Sequence, residues 1–378
     1  MQTKESLKIS IYEALKICLD KKLTFAAYRL PGQSEVTLVI QEDHDICELN
    51  DISELTENEK AGFIIAPFYS DQGDSSFLIR PDILIRNSAS LAQIDEINSI
   101  TATYVNGAEH IAPAQTLKED FISQVENTID AIKTREYEKI VISRVKIIEG
   151  DYKPQLAEIF KLLSDLYNNA FVFLFRVKNQ CWIGASPEPL ICARGNELIT
   201  VSLAGTRPYN ETNLEIATWN KKELIEQEYV TKYIEKVLED YKIKNFLKKG
   251  PYTKKAGQLL HLRTDFIFHA NLLDQKLYSF IAALHPTSAV CGMPMVKARE
   301  FISSVENHNR EYYTGFLGPV GIDDQLQLFV TLRCMKVFEH QLALYVGGGI
   351  TADSIPIDEW EETEIKADTL LSVVHQVY

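Results

Sequence analysis

The chain has 378 residues, 46% of them apolar and 24% charged, with a formal net charge of −14. That is an ordinary globular composition with ample length for a core, and the acidic balance argues against a nucleic-acid binder, which carries a basic patch or stripe; an anionic small substrate stays open, because local basic residues override a global field. No stretch approaches the roughly eighteen apolar residues of a membrane span and the N-terminal MQTKESLKIS lacks a secretion signal's apolar region, so a cytoplasmic protein without a membrane partner is expected.

In chain order, residues 3–19 pattern as an amphipathic helix, and LTFAAYRL and EVTLVIQ alternate like a hairpin joined at Pro31–Gly32. The segment 42–60 is acidic and weakly patterned. GFIIAPF and SSFLIRPDILI are two apolar runs, and the polar stretch 87–110 reads as a linker or flexible loop. A helix over 116–135 precedes the strand KIVISRVKII, and 153–167 returns to helix. FVFLFRV, CWIGA, LICARG and ELITVSLAG then follow as closely spaced strands, with turn chemistry at Lys178–Asn179 and Gly195–Asn196. A long helix spans 213–242, two more fall near 273–282 and 294–305, QLFVTLRCMKVFE pairs with QLALYVGGG as a hairpin, and the last helix covers 357–374. Runs of strands separated by groups of helices predict an α+β fold with antiparallel sheets and helices outside.

Six cysteines (Cys18, Cys47, Cys181, Cys192, Cys291, Cys334) are scattered without a C-x-x-C pair, which reads as reduced thiols and neither a zinc site nor a disulfide frame. No serine-hydrolase elbow, zinc-protease motif or phosphate loop is present.

Two acidic pairs stand out instead. Glu223 and Glu226 are three residues apart in one predicted helix, and Glu359 and Glu362 repeat the spacing in another, so each pair shares a helix face. The stripe Glu223, Glu226, Val230, Ile234, Val237 turns apolar after its first turn, which points the carboxylates inward. Glu359, Glu362 and Lys366 share a second face, with Glu361 and Glu364 opposite, where water is expected. Four inward carboxylates need a positive centre, and a hard divalent cation with oxygen ligands, Mg²⁺, supplies it. Solvated helix faces with surface pairs Lys222–Glu226 and Glu362–Lys366 are the competing reading.

Alternation places Lys139, Val141 and Ser143 on one strand face and Ile140, Ile142 and Arg144 on the other. Lys139 is then either a snorkelling surface residue or, desolvated, a general base. Glu188 sits between two prolines in GASPEPL, Gly205 lies in SLAGTRP, and YVGGGIT offers three successive glycines. Glycine lets an anion approach the backbone closely, and Arg333, Lys366 and these amides together suit carboxylate recognition. His261 and His285 have apolar neighbours, for which a satisfied core histidine is the default.

The segments KIVISR, ASPE, AGTRP, KKELIEQEYV, LHLRT, LHPTSAVCGMP, ENHNREYYTGFLGPVG, LRCM, GGGI and EWEETEIKA occur in the order found in chorismate-utilising enzymes, and the chain most resembles the isochorismate synthases among them. The match covers roughly 115–375, with 1–110 resembling the variable N-terminal half. The resemblance implies one domain over 1–378, two stacked, mainly antiparallel sheets with helices outside, and a cleft near the stack. It implies magnesium at Glu226 and Glu362 with Glu223 and Glu359 in support, Lys139 as general base and Glu188 as general acid. Gly205, Thr206, Arg333, Gly348, Gly349 and Lys366 would contact substrate carboxylates or hydroxyls, with His261 lining the same pocket. Such an isomerase lets water attack C2 of chorismate while the C4 hydroxyl leaves, which requires a neutral Lys139 and a protonated Glu188, shifted in opposite directions.

Amine-transferring relatives carry glutamine where Lys139 stands, so no glutaminase subunit is expected, and Ala204 fits the same water-activating pattern. Salicylate synthases share the lysine and then eliminate pyruvate. Thr287-Ser288-Ala289-Val290 resembles the isochorismate-forming type, although Ser288 replaces the usual proline and Gln227 the usual histidine. A catalytically silent chorismate-binding protein is the remaining alternative. A monomer is the default expectation, and the destination of the product, menaquinone or siderophore, stays open.

Overall fold

The computed structural model describes residues 8–55, 61–69, 74–101, 111–209, 215, 218–256 and 259–377, the side chains of Thr206, Pro208, Lys222, Ala256 and Leu259 excepted. Two antiparallel sheets carry the architecture. The first has eleven strands and includes Phe171–Val177, Gln180–Ser186, Cys334–Val337, Gln341–Ile350 and Lys139–Glu149 in neighbouring order. The second has nine, with Leu247–Ala256, Leu259–His269, Glu197–Pro208, Pro189–Arg194, Gln327–Val330 and Phe316–Val320 adjacent.

The strand Phe171–Val177 shows why the sheets stack. Its Phe171, Phe173, Phe175 and Val177 enter an aromatic layer shared with Phe63, Phe329 and Tyr312, while Val172 and Leu174 face the opposite cluster under the helices Ile11–Asp20 and Leu156–Leu166. Alternation sends successive side chains to opposite faces, so an unbroken apolar run marks a strand covered on both sides. Phe171 of one sheet stacks on Phe329 of the other at 4.3 Å between ring centroids. The helices Lys221–Asp240 and Leu277–Leu284 cover the second sheet, and Pro356–Val377 covers the first through Ala367, Leu370, Leu371 and Val374.

Both predicted turns form two-residue hairpins: Val177 pairs with Gln180 and Arg194 with Glu197, with positive φ at Lys178 (51°) and Gly195 (58°). Three expectations need correction. The first 13 residues of the polar stretch 87–110 are ordered: a short strand, Ser88–Ser90, leads into the helix Leu91–Ser99, begun by a capping box between Ser90 and Gln93; residues 102–110 lie outside the described ones. The Lys-rich strand Leu247–Ala256 and its partner Leu259–His269 escape the sequence reading, because lysine and a Gly-Pro pair imitate a loop. Most consequentially, QLFVTLRCMKVFE is not one strand. Gln327–Val330 belongs to the second sheet and Cys334–Val337 to the first, so the chain crosses between sheets through Thr331–Arg333.

Candidate active site

A second crossing lies beside the first. The strand Gln180–Ser186 in one sheet and Pro189–Arg194 in the other are joined by Pro187 and Glu188 alone. The two crossings are stitched together: Val330 N–H donates to the Glu188 carbonyl at 2.9 Å and Ala185 N–H to the Arg333 carbonyl at 3.0 Å. Arg333 takes a left-handed conformation, φ 48°, a bend that no strand interior tolerates. A cavity of about 180 Å³ opens here, lined among others by Glu188, Gly205, Glu226, His261, Arg333 and Lys366.

Lys139 opens the strand Lys139–Glu149, and its side chain is fully buried. Val141, on its face, lines the cavity, whereas Ile140 and Ile142 pack outward with Phe121 and Val125. The surface alternative for Lys139 is therefore excluded. Its Nζ donates to Glu226 Oε1 at 2.6 Å. Gly349 on the neighbouring strand Gln341–Ile350 pairs with Val141, and a Cβ there would stand 2.6 Å from Lys139 Cε and 2.7 Å from Glu226 Oε1. Only glycine leaves that room.

The helix Lys221–Asp240 delivers Glu226. Its start is fixed by a capping box in which Glu223 N–H donates to Asn220 Oδ1 and Asn220 N–H to the Glu223 carboxylate at 2.9 Å. Gln227 then anchors it to the second sheet, donating to Ser202 Oγ at 2.8 Å and to Thr264 Oγ1 at 3.2 Å. Val230, Ile234 and Val237 are buried, as the stripe predicts. Glu223 and Glu226 both line the cavity.

The opposite wall comes from the helix Pro356–Val377. Lys366 Nζ donates to Glu362 Oε1 at 2.6 Å and to the Gly347 carbonyl at 2.8 Å. Glu359 is buried, with Oε2 3.3 Å from where a Cβ on Gly348 would stand, just outside the cavity lining. Glu364, expected in water, also accepts from the buried Arg144 and from Lys146. Arg144 also donates to Thr363 Oγ1 at 2.7 Å and lies over the Trp360 ring.

Gly205 interrupts the pairing of Glu197–Pro208 with Leu259–His269 as a bulge with φ 68°. Its carbonyl lies 2.8 Å from His261 Nδ1. Burial lowers the His261 pKa to about 4, with the nearby Arg333 charge adding to the shift, so the ring is neutral. Arg333 Nη1 makes no hydrogen bond among the described residues. Burial also pushes the Glu188 carboxyl up to about 8 against the opposing pull of Lys139, Arg333 and Lys366, with Glu226 adding to the rise. A proton-carrying acid thus faces a cavity that also holds Arg333 and Lys366.

Gly348 and Gly349 line the cavity as predicted; the Thr206 side chain lies outside the described residues. His285 sits elsewhere, its Nε2 3.2 Å from the Pro67 carbonyl. The sequence reading did not name Leu203, Tyr313, Thr314 and Tyr345 in the cavity wall, although all four lie inside segments it singled out: SLAGTRP, ENHNREYYTGFLGPVG and YVGGGIT. Oxygen donors on Glu223, Glu226 and Glu362 around one cavity suit a hard divalent cation. Among the described residues no three acids converge closely enough to hold an ion as they stand, although the donor chemistry fits.

A family profile described as "Chorismate binding enzyme" matches residues 54–375. The vibriobactin-specific isochorismate synthase of Vibrio cholerae is 32% identical over 243 residues, 62% of this chain and 61% of that protein. Isochorismate synthase MenF of Bacillus subtilis is 29% identical over 272 residues, 70% and 57% respectively. The matched stretch thus spans about three-fifths of the length of these curated relatives. The menaquinone-specific isochorismate synthase from Escherichia coli shares the fold, with a TM-score of 0.77 at 21% identity over 95% of this chain and 91% of that one.

Proposed function

The chain belongs to the chorismate-binding enzymes, and we propose that within this family it interconverts chorismate and isochorismate. The observation that carries this reading is an acid protonated at neutral pH on the cavity wall, Glu188, raised to about 8, within electrostatic reach of a buried lysine, Lys139, held against the cavity-lining Glu226. Lys139 removes a proton from water as its oxygen bonds to C2, the ring double bonds shift, and Glu188 gives its proton to the C4 hydroxyl, which departs as water. Such paired groups contribute about 10²–10⁴-fold each. Arg333 and Lys366 supply cations for the substrate carboxylates, Arg333 with a donor to spare. The Gly205 bulge, held by a neutral His261, shapes the remaining wall. Mg²⁺ held by Glu226 and Glu362, with Glu223 and Glu359 behind them, would supply positive charge against the ring carboxylate.

Lys139 occupies the place of the glutamine found in amine-transferring relatives, so the enzyme works with water and without a glutaminase subunit. A cytoplasmic monomer is the default that goes with this proposal. Incubation with chorismate and Mg²⁺, followed by chromatography, tests the reading. Isochorismate without pyruvate is expected. Salicylate with pyruvate would identify a salicylate synthase instead, and turnover only with added ammonia would overturn the water-based reaction.

A further inference from the structure

We propose that Lys139 and Lys366 are built-in cations that compete with Mg²⁺ for Glu226 and Glu362, so that ion binding releases both lysines to the reactants. The inference rests on the magnesium-dependent reading above and concerns a property that reading does not require. Two lysine–carboxylate pairs of the same length, 2.6 Å, stand at the cavity, one joining the strand-borne Lys139 to the helix-borne Glu226 and the other lying within a single helix. Each uses an acid assigned to the ion. The sheet is contoured around one of them, since any side chain at position 349 would displace both Lys139 and Glu226. Lys366 keeps a second anchor at the Gly347 carbonyl, so losing Glu362 leaves its ammonium at the cavity wall and not in solvent.

Charge accounting gives the consequence. The two pairs are neutral together, so a divalent ion entering alone places two positive charges beside two ammonium groups already there. A dianionic substrate arriving with the ion restores neutrality and offers Lys366 a new partner, and Lys139, freed from Glu226, then gives up the proton it must lose before it can act as the base. Ion and dianion therefore bind better together than singly, and the lysines weaken ion binding to the free enzyme. A like charge within about 4 Å repels an entering cation, so deleting either lysine is expected to tighten Mg²⁺ binding at least about fivefold.

Calorimetric titration of MgCl₂ into substrate-free protein tests this, using Lys139→Met and Lys366→Met beside the unsubstituted chain, with the melting temperature read at each ion concentration. Both lysine variants are expected to bind Mg²⁺ more tightly and to gain more thermal stability from it. Lys366, partly exposed on a helix, serves as the variant whose fold is not at stake. Glu226→Gln and Glu362→Gln separate the two layers of argument. If they abolish Mg²⁺ binding while the lysine variants bind it no more tightly, the competition is overturned and the metal site stands. If they leave Mg²⁺ binding unchanged, the metal assignment itself falls, and the competition with it.

Discussion

The sheet-borne and helix-borne walls of the cavity are built to different ends. On the sheet side, Lys139 is fully buried, Glu188 is 6% exposed, and both sit on backbone locked by strand pairing or by a crossing between sheets. On the helix side, the Glu226 and Glu362 side chains are 16% and 33% exposed. Burial fixes protonation, because desolvation disfavours charge unless it is paired; partial exposure lets a carboxylate change partners at modest cost. Under the proposed reaction, the rigid wall would hold the proton-transfer groups, and the wall that water can reach would hold the groups that exchange ions.

The comparison is broken most severely by Lys139→Ala, expected to lower kcat by about 10²–10⁴-fold while circular dichroism stays unchanged; turnover at the original rate would leave the sheet wall without a chemical role. Glu188→Gln is expected to cost about 10²-fold in kcat, and it also tests protonation. The unsubstituted enzyme should lose activity as pH rises through about 8, where Glu188 gives up its proton. The folded-state value lies above the unfolded value of about 4.3, so the Glu188 contribution to stability is fully present below about 4 and is lost as pH rises toward 8. Denaturation midpoints at pH 5 and pH 8 should differ less in Glu188→Gln than in the parent.

Gly349→Ala sharpens the contrast from the sheet side without substituting a charged residue. Its Cβ would collide with Lys139 and Glu226, so kcat should fall about tenfold to 10²-fold and stability by about 1–3 kcal/mol, read by steady-state kinetics and urea denaturation. The smallest effect is expected on the outer face of the helix: Glu364→Gln removes a charge from Arg144, which keeps Thr363 and the Trp360 ring. A loss of about 1 kcal/mol with kcat unchanged is expected; a large loss of activity would show that the outer face also sets the position of Glu362.

How much of this was legible differs from residue to residue. Period-two alternation put Lys139 and Val141 on one face, and period 3.6 put Glu223 and Glu226 on another, because both follow from local backbone geometry. The same periodicity put Glu364 toward water, where its side chain is 38% exposed, but did not record the buried Arg144 that it also meets, since such a face looks polar in either case. Residues 327–338 read as one strand for a related reason: each half has strand composition, and nothing local records that Thr331–Arg333 bends at a left-handed residue to change sheets.

By itself the sequence determined most of the element types, the shared helix face of each acidic pair, the family motifs and the identity of each chemical group. Tertiary structure decided their partners. Lys139 and Glu226 meet across 87 residues, and their contact depends on a missing Cβ on a third segment, a condition no local pattern encodes. The Glu188 proton is likewise a product of burial, and burial exists only once both sheets have closed over the crossing that carries it.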